Sequence, residues 1–446
     1  MSVKDEPRAL VVGLGSSGMA AAALLARQGY RVRVNDRSSA EELAARVRQL
    51  PEGTETLLGG HPLAALEGVS LVVVSPGVPA DLPLLEEAAR RGLEVIAEVE
   101  LAYRSLPGVP LAGITGSNGK TTVTALLGAI CQAAGWRTGV GGNIGEPATA
   151  LALAGPWDVL VWELSSFQLE GCRSLRPRVA VLLNLSPDHL DRHPSMAAYR
   201  AAKERLFAYQ EAEDVAVLNA DDAALAGIAT RARPCFFSLR RPDADAHLEG
   251  EVLQVDGQPL LHRRELRLLG DHNVANALAA SLAAVRLGVP REHVASALAT
   301  FEALPHRHQV VAEHRGVRFV DDSKGTNIGA TAAGLSGYRP GSVHLILGGL
   351  GKGQDFTQLR TAVAGRVARI YLIGEAAEAL AAALTGTAPL EMCGTLAQAV
   401  ERAAAAATAG EVVLLSPACA SFDQFRDYRH RGEEFARLAR AVGGGS

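Results

Sequence analysis

The sequence predicts an α/β protein of three domains, each built on a largely parallel sheet with helices on both faces. Three observations predict it. Short, near-continuous apolar runs such as ALVVGLG (9–15), LVVVSPG (71–77) and WDVLVWELSS (157–166) alternate with Ala/Leu-rich stretches of helical length. Strands buried on both faces read as unbroken apolar runs, and strand–helix alternation is the pattern of parallel sheets. Nearly every run ends in Gly, Ser, Asp, Asn or His, at the strand ends where open α/β sheets bind ligands. The 446 residues suffice for two to four domains with cores of their own.

Composition narrows the function. Hydrophobic residues make up 48% and charged residues 21%, which excludes a mainly disordered chain. Lys+Arg total 44 against 48 Asp+Glu, so the net charge of −4 offers no basic field for nucleic acid or an anionic membrane. No apolar run approaches the length of a bilayer span, and MSVKDEPRAL lacks the apolar core of a secretory signal. The five cysteines form no CxxC, so a reducing cytoplasm is expected.

Three units follow from the pattern. The first, 1–98, stops before LAYRSLPGVP (101–110), which reads as a Pro/Gly-containing connector. The second, 99–303, includes a less regular stretch at 235–268 that reads as short antiparallel strands. The third, 304–446, opens near ALPHRHQV (303–310) with a further series of strand–helix units.

Each of the first two units carries a glycine loop. Gly13-Leu14-Gly15-Ser16-Ser17-Gly18 follows a strand and opens a helix, and Asp36 closes the next strand. That context is Rossmann-like: the glycines let a pyrophosphate approach the helix N-terminus, and the acid suits a ribose or base. The literal motif is that of NAD, but the same geometry holds any diphosphate nucleotide, and a packing turn is the plain alternative. The second loop is Gly116-Ser117-Asn118-Gly119-Lys120-Thr121-Thr122, between a strand and the helix beginning TTVTALLGAI. Ile114 stands at the first glycine of the full P-loop pattern. The core is nevertheless complete: backbone N–H groups for phosphate oxygens, Lys120 for the β/γ-phosphates and the Thr121 hydroxyl for Mg²⁺. Two such loops imply two different nucleotides.

Glu163 ends an apolar strand at the height of a Walker-B acid, although a helix-capping acid would look the same. His189 lies between Asp188 and Asp191 at the end of the next run, which suits a metal ligand as well as a structural histidine. Lys203, alone on the helical stretch after Ser195, reads as a solvated face.

The motifs TGSNGKTT, ELSSFQLE, NLSPDHLDRHPSMAAYRAAKERLF, GDHNVANALAA, PHRHQ, DDSKGTN and SPACASFDQFRDYRHRGEEF, in this order, resemble the Mur ligases over essentially the whole chain. The resemblance is nearest the branch that adds D-glutamate to UDP-N-acetylmuramoyl-L-alanine. It implies a uridine-nucleotide domain, a central P-loop ATPase-like domain, and a Rossmann-like C-terminal domain for the amino acid. ATP would phosphorylate the substrate carboxylate, and the D-glutamate amine would attack the acyl phosphate. It places the ATP phosphates on Gly116 to Thr122, with Lys324 nearby, and adenine and ribose at Asn273, Asn276, His306, Arg307 and Asp322. Two Mg²⁺ ions are implied, held by Thr121, Glu163, His189 and a carbamylated Lys203, which replaces the solvated reading. It further implies Gly15, Ser16, Ser17, Asp36, Arg37, Ser75, Gly77 and Asn143 for the UDP-substrate, and Thr326, Lys352, Ser421 and Tyr428 for D-glutamate. Phe is common in the family at the Tyr428 position, and Asp at Leu350. The connectors near 99–108 and 303–306 are the expected hinges. A cytoplasmic monomer in peptidoglycan precursor synthesis is expected. The competing readings are a sibling ligase adding another amino acid, a folylpolyglutamate synthase, an NAD-dependent oxidoreductase and a nucleotide-binding scaffold without turnover.

Overall fold

The computed structural model describes residues 6–188 and 192–442. Strands β1 (Arg8–Val12), β2 (Arg31–Asp36), β3 (Glu55–Leu58), β4 (Val69–Val74) and β5 (Glu94–Ala97) form an all-parallel sheet in the order β3-β2-β1-β4-β5. β1 and β4 meet at its centre, and the chain reverses direction across the sheet there. That is the switch point at which such sheets bind ligands. The glycine loop follows β1 at this point.

The central sheet comprises β6 (Leu111–Thr115), β7 (Thr138–Gly142), β8 (Val159–Glu163), β9 (Val179–Leu182), β10 (Val215–Asn219), β11 (Arg233–Ser238), β12 (Ala246–Glu249), β13 (Val252–Val255) and β14 (Gln258–His262). Its order is β14-β13-β12-β11-β10-β9-β6-β8-β7. β6 and β8 are buried along their whole length, as their unbroken apolar runs require. Within 235–268 only β12 to β14 run antiparallel; residues 235–238 belong to β11, which is parallel to β10. The antiparallel strands extend the same sheet through β11.

The third sheet contains β15 (Gln309–His314), β16 (Val317–Asp321), β17 (Val343–Gly348), β18 (Val367–Ile373), β19 (Leu390–Gly394) and β20 (Val412–Leu415), ordered β15-β16-β20-β17-β18-β19. It is parallel except for edge strand β15.

The stretch read as a connector after residue 98 starts with a helix, Glu98–Arg104. Helix formation wins because Val99, Leu101 and Ala102 join an apolar core that runs from the first sheet into the second. Buried Glu98 accepts the N–H and the hydroxyl of Thr149 at 2.6 and 2.5 Å. Arg27 donates to the carbonyls of Ala152 and Leu153 across the same seam. The first two sheets therefore share a packed interface. The third sheet meets the central one through polar contacts described below.

Candidate functional site

The second glycine loop, the candidate phosphate loop, leaves the end of β6, in the middle of the central sheet. Gly119, at φ +85°, is the N-cap of the helix Lys120–Ala133, and an added Cβ would lie 2.5 Å from Asn276 Oδ1. Only glycine suits that backbone without strain. The loop is braced by the end of β9: the Asn118 N–H donates to Asn184 Oδ1 at 2.8 Å, and the Ser117 hydroxyl donates to the Ser186 carbonyl at 2.9 Å. Lys120 folds back over the loop and donates to the carbonyls of Gly116 and Ser117 at 2.7 and 2.9 Å.

Glu163, at the end of β8, is 2% exposed. Its carboxylate accepts from the Thr121 hydroxyl and from Asn143 Nδ2, both at 2.7 Å. Lys203 is 1% exposed, which corrects the solvated-face reading. Its ammonium donates to the Gly116 carbonyl at 2.9 Å and lies 4.6 Å from the centre of the Tyr199 ring. The helix Met196–Glu204 turns this polar position inward, toward the loop, because its N-cap Ser195 and the buried Tyr199 and Ala202 fix its rotation. Burial, and then neighbouring Lys120, hold the Lys203 pKa well below the usual amine value. His189 lies outside the described residues.

The third domain closes the opposite side of the cleft. Arg307 Nη2 donates to the Thr121 hydroxyl at 2.5 Å, and Asn327 Nδ2 donates to Asp188 Oδ2 and Asn118 Oδ1 at 3.0 and 3.3 Å. His306 sits at φ +63° with Nδ1 2.7 Å from Asp321 Oδ2, and that carboxylate raises the imidazole pKa. Asp322 accepts from the Ser416 hydroxyl at 2.7 Å. The Lys324 ammonium stands 4.0 Å from the centre of the Tyr428 ring, and burial brings its pKa down to about 8.

These groups border one cleft of about 1270 Å³. It takes in Ser117 to Thr122, Glu163, Lys203, Asn273 and Asn276 from the central domain. From the third domain it takes His306, Arg307, Asp322, Lys324, Thr326, Lys352, Ser421 and Tyr428. Gly116 contributes the carbonyl that holds both lysines. Lys203 is buried and Lys120, Arg307 and Lys324 are half-buried, and desolvation is the first cause that lowers the pKa of each. A convergence of partly desolvated positive groups fits a polyanion such as a triphosphate. The hydroxyl and carboxylate pair of Thr121 and Glu163 is a hard oxygen donor set, which fits Mg²⁺.

A second cleft of about 540 Å³ lies at the switch point of the first sheet. Gly15, Ser16, Ser17, Asp36, Arg37, Ser75, Gly77 and Asn143 all border it. Gly18 packs so tightly on the turn that a Cβ would fall 1.9 Å from the Gly13 carbonyl. Asp36 does more than face the cleft: it accepts the N–H groups of Leu14 at 2.6 Å and Ser38 at 2.9 Å, tying the glycine loop to the end of β2. Asn143 borders both clefts and so joins them.

Sequence reasoning missed several contributors. Asn184 and Ser186 brace the phosphate loop, and Asn327 bridges the two domains. Their signal was available: each is a polar residue directly after an apolar run or at a helix N-cap. Tyr199, whose ring faces Lys203, and His272, a half-buried imidazole lining the cleft whose pKa desolvation lowers to about 4, had no such signal. Among the described residues no group of three or more His, Cys, Asp or Glu side chains is arranged to hold a metal ion. No helix among them is long and apolar enough to cross a membrane.

Comparison with known proteins covers all three units. Residues 7–97 match the family described as Mur ligase MurD-like, N-terminal domain; residues 114–284 match the Mur ligase middle domain, and residues 306–419 the Mur ligase glutamate ligase domain. A relative named UDP-N-acetylmuramoylalanine–D-glutamate ligase from Anaeromyxobacter dehalogenans is 49% identical over 97% of this chain and 97% of its own. One of the same name from Acidobacterium capsulatum is 48% identical over 97% and 96%. Among solved structures, MurF ligase from Thermotoga maritima in complex with ADP aligns with a TM-score of 0.63 at 16% identity, covering 100% of this chain and 99% of that one. UDP-N-acetylmuramate-alanine ligase from Thermotoga maritima aligns at 0.60 and 17% identity, covering 97% and 99%. At these identities the structural likeness concerns the fold.

Proposed function

The chain belongs to the Mur ligase family, and on that premise we propose that it joins D-glutamate to UDP-N-acetylmuramoyl-L-alanine with conversion of ATP to ADP and phosphate. One observation carries the reading. The phosphate loop, with Lys120 and the Thr121–Glu163 pair, faces Lys352, Ser421 and Tyr428 across a single cleft, and Asn143 connects that cleft to the one in the first domain. A substrate anchored by its uridine diphosphate at Ser16, Ser17 and Arg37 would extend past Asn143 and bring its carboxylate to the phosphate loop. The names of the near full-length relatives support the same substrates.

The chemistry follows from charge and position. A carboxylate and a triphosphate repel each other, so the protein must offset their charge and align them. Lys120 would leave the loop carbonyls for the β/γ-phosphates, and the N–H groups of residues 119–122, at the helix N-terminus, would bind phosphate oxygens. Mg²⁺, when bound, screens the triphosphate and polarises the transferring phosphoryl group. Thr121 and Glu163 would hold one ion, and His189 with a carbamylated Lys203 a second. The burial of the Lys203 amine and its lowered pKa support that modification, which would convert a nitrogen donor into oxygen donors suited to Mg²⁺. Asn273, Asn276, His306, Arg307 and Asp322 would hold the adenosine, with Lys324 beside the phosphates. Lys352, Ser421, Thr326 and Tyr428 would orient D-glutamate so that its amine meets the acyl phosphate. Closure of the third domain would exclude water from that intermediate. We place this activity in the cytoplasm and in a monomer.

The test is phosphate release with D-glutamate, L-alanine and L-lysine in parallel, each with and without UDP-N-acetylmuramoyl-L-alanine. Release is expected only with D-glutamate and the nucleotide substrate together. Release with another amino acid, or with ATP alone at the same rate, would overturn the reading.

A further inference from the structure

Arg431 lies in the first turn of the helix Tyr428–Ala441 and is 0% exposed. Buried guanidinium groups are ordinarily paired with carboxylates. Among the described residues the hydrogen bonds of Arg431 all go to neutral oxygens. Nε donates to Ser323 Oγ at 3.0 Å, Nη2 to the carbonyls of Ser323 and Cys419 at 2.9 and 3.1 Å, and Nη1 to the carbonyl of Ala420 at 3.2 Å.

Those oxygens belong to two loops, residues 322–326 after β16 and residues 416–421 after β20. A third loop, 348–352 after β17, is drawn into the same knot. Leu350 and Ala420 exchange backbone hydrogen bonds at 2.9 and 3.0 Å, and Gly349 passes so close that a Cβ there would lie 3.1 Å from Nη1. The three strands are neighbours in the sheet. Each loop sends side chains into the main cleft: Lys324 and Thr326, Ser421, and Lys352.

We propose that Arg431 is a positioning residue for the amino-acid half of the reaction: its guanidinium pins the three loops at one spacing, and those loops carry the side chains that receive a dicarboxylic amino acid. This rests on the D-glutamate reading above. A planar fork with donors on three nitrogens spans two loops at once. A lysine ammonium keeps the charge but radiates from one point and cannot hold the same spacing.

The test uses the full chain and steady-state phosphate release. R431K is expected to raise the KM for D-glutamate by about tenfold. Its KM for UDP-N-acetylmuramoyl-L-alanine, bound in the first domain, should stay near wild type, while its melting temperature falls by a few degrees for the lost hydrogen bonds. R431A should lose about a hundredfold in kcat/KM for D-glutamate and recover roughly tenfold with about 20 mM guanidinium, while urea at that concentration restores nothing. Wild-type constants for D-glutamate in R431K would overturn the proposal. So would equal rises in both KM values with no guanidinium effect. If R431A does not fold, the R431K constants decide. If the wild-type chain is inactive with D-glutamate, the functional reading falls instead, and R431K is then measured against whichever amino acid supports turnover.

Discussion

Gly119→Ala tests whether the phosphate loop is the working part of the cleft. Gly119 sits at φ +85°, where a Cβ costs about 1–2 kcal/mol in backbone strain. That Cβ would also fall 2.5 Å from Asn276 Oδ1 and 3.2 Å from Leu183 Cδ1. Asn276 Nδ2 donates to Asn273 Oδ1 at 3.1 Å, and moving the side chain away breaks that bond, at about 1 kcal/mol. The total of about 2–3 kcal/mol should lower the melting temperature by roughly 5–10 °C. The loop N–H groups move with it, so the KM for ATP should rise at least about tenfold. Gly135→Ala is the matched control: φ is +81°, yet nothing lies within 4 Å of its Cβ, and it stands beyond the far end of the same helix. It should cost only the strain and leave ATP kinetics alone. The assays are differential scanning fluorimetry and phosphate release at varied ATP. An unchanged KM for ATP in G119A, or the same kinetic loss in G135A, would refute the assignment of the loop.

Three further outcomes follow from the geometry. Glu163→Gln removes the charge that Thr121 and Asn143 both face, so kcat should fall by about 10²–10³ with little change in melting, read by phosphate release. Gly18→Ala would drive a Cβ to within 1.9 Å of the Gly13 carbonyl; calorimetry should show loss of UDP-substrate binding with ATP binding retained. The raised pKa of His306 means that its pairing with Asp321 stabilises the fold fully below the ordinary imidazole value near 6.5 and is lost as pH climbs through the raised value. His306→Asn, which tolerates the positive φ, should therefore lower the melting temperature more at about pH 6 than at about pH 9.

Much of the architecture was legible because apolar runs and glycine loops are local signals. β6, β8 and both glycine turns could be read from ten-residue windows. Long-range pairing could not. Nothing local distinguishes the parallel β11 from the antiparallel β12, since both are short and mixed in polarity. The helix Glu98–Arg104 was hidden because its reason to form is an apolar core shared with a neighbouring domain. Lys203 shows the same limit on a helix: periodicity identifies a polar face but not whether that face meets water or a cleft. Asp36 reads as a ligand contact from its spacing, while the structure adds that it secures the glycine loop. Arg431 falls inside a quoted motif, yet nothing in the motif marks its role, because its partners are backbone carbonyls and one serine hydroxyl.

The charge pattern ties these observations to domain motion. Lys120 and Lys203 of the central domain, which share the Gly116 carbonyl, meet Arg307 and Lys324 only because the third domain lies against the central one. Lys120 is pushed toward neutrality by Arg307 as well as by burial, and Lys324 by Arg307 and Lys120. Closure without a ligand sets Arg307 and Lys324 beside Lys120, a like-charge contact that Glu163 and Asp188 offset in part, and it is held by a few polar contacts such as Arg307 to Thr121 and Asn327 to Asp188. A polyanion in the cleft adds attraction to cations contributed by both domains. Binding of a triphosphate and closure must then favour each other by the same free energy. Raising the salt concentration should weaken ATP binding more than binding in the first domain, where no such set of cations converges.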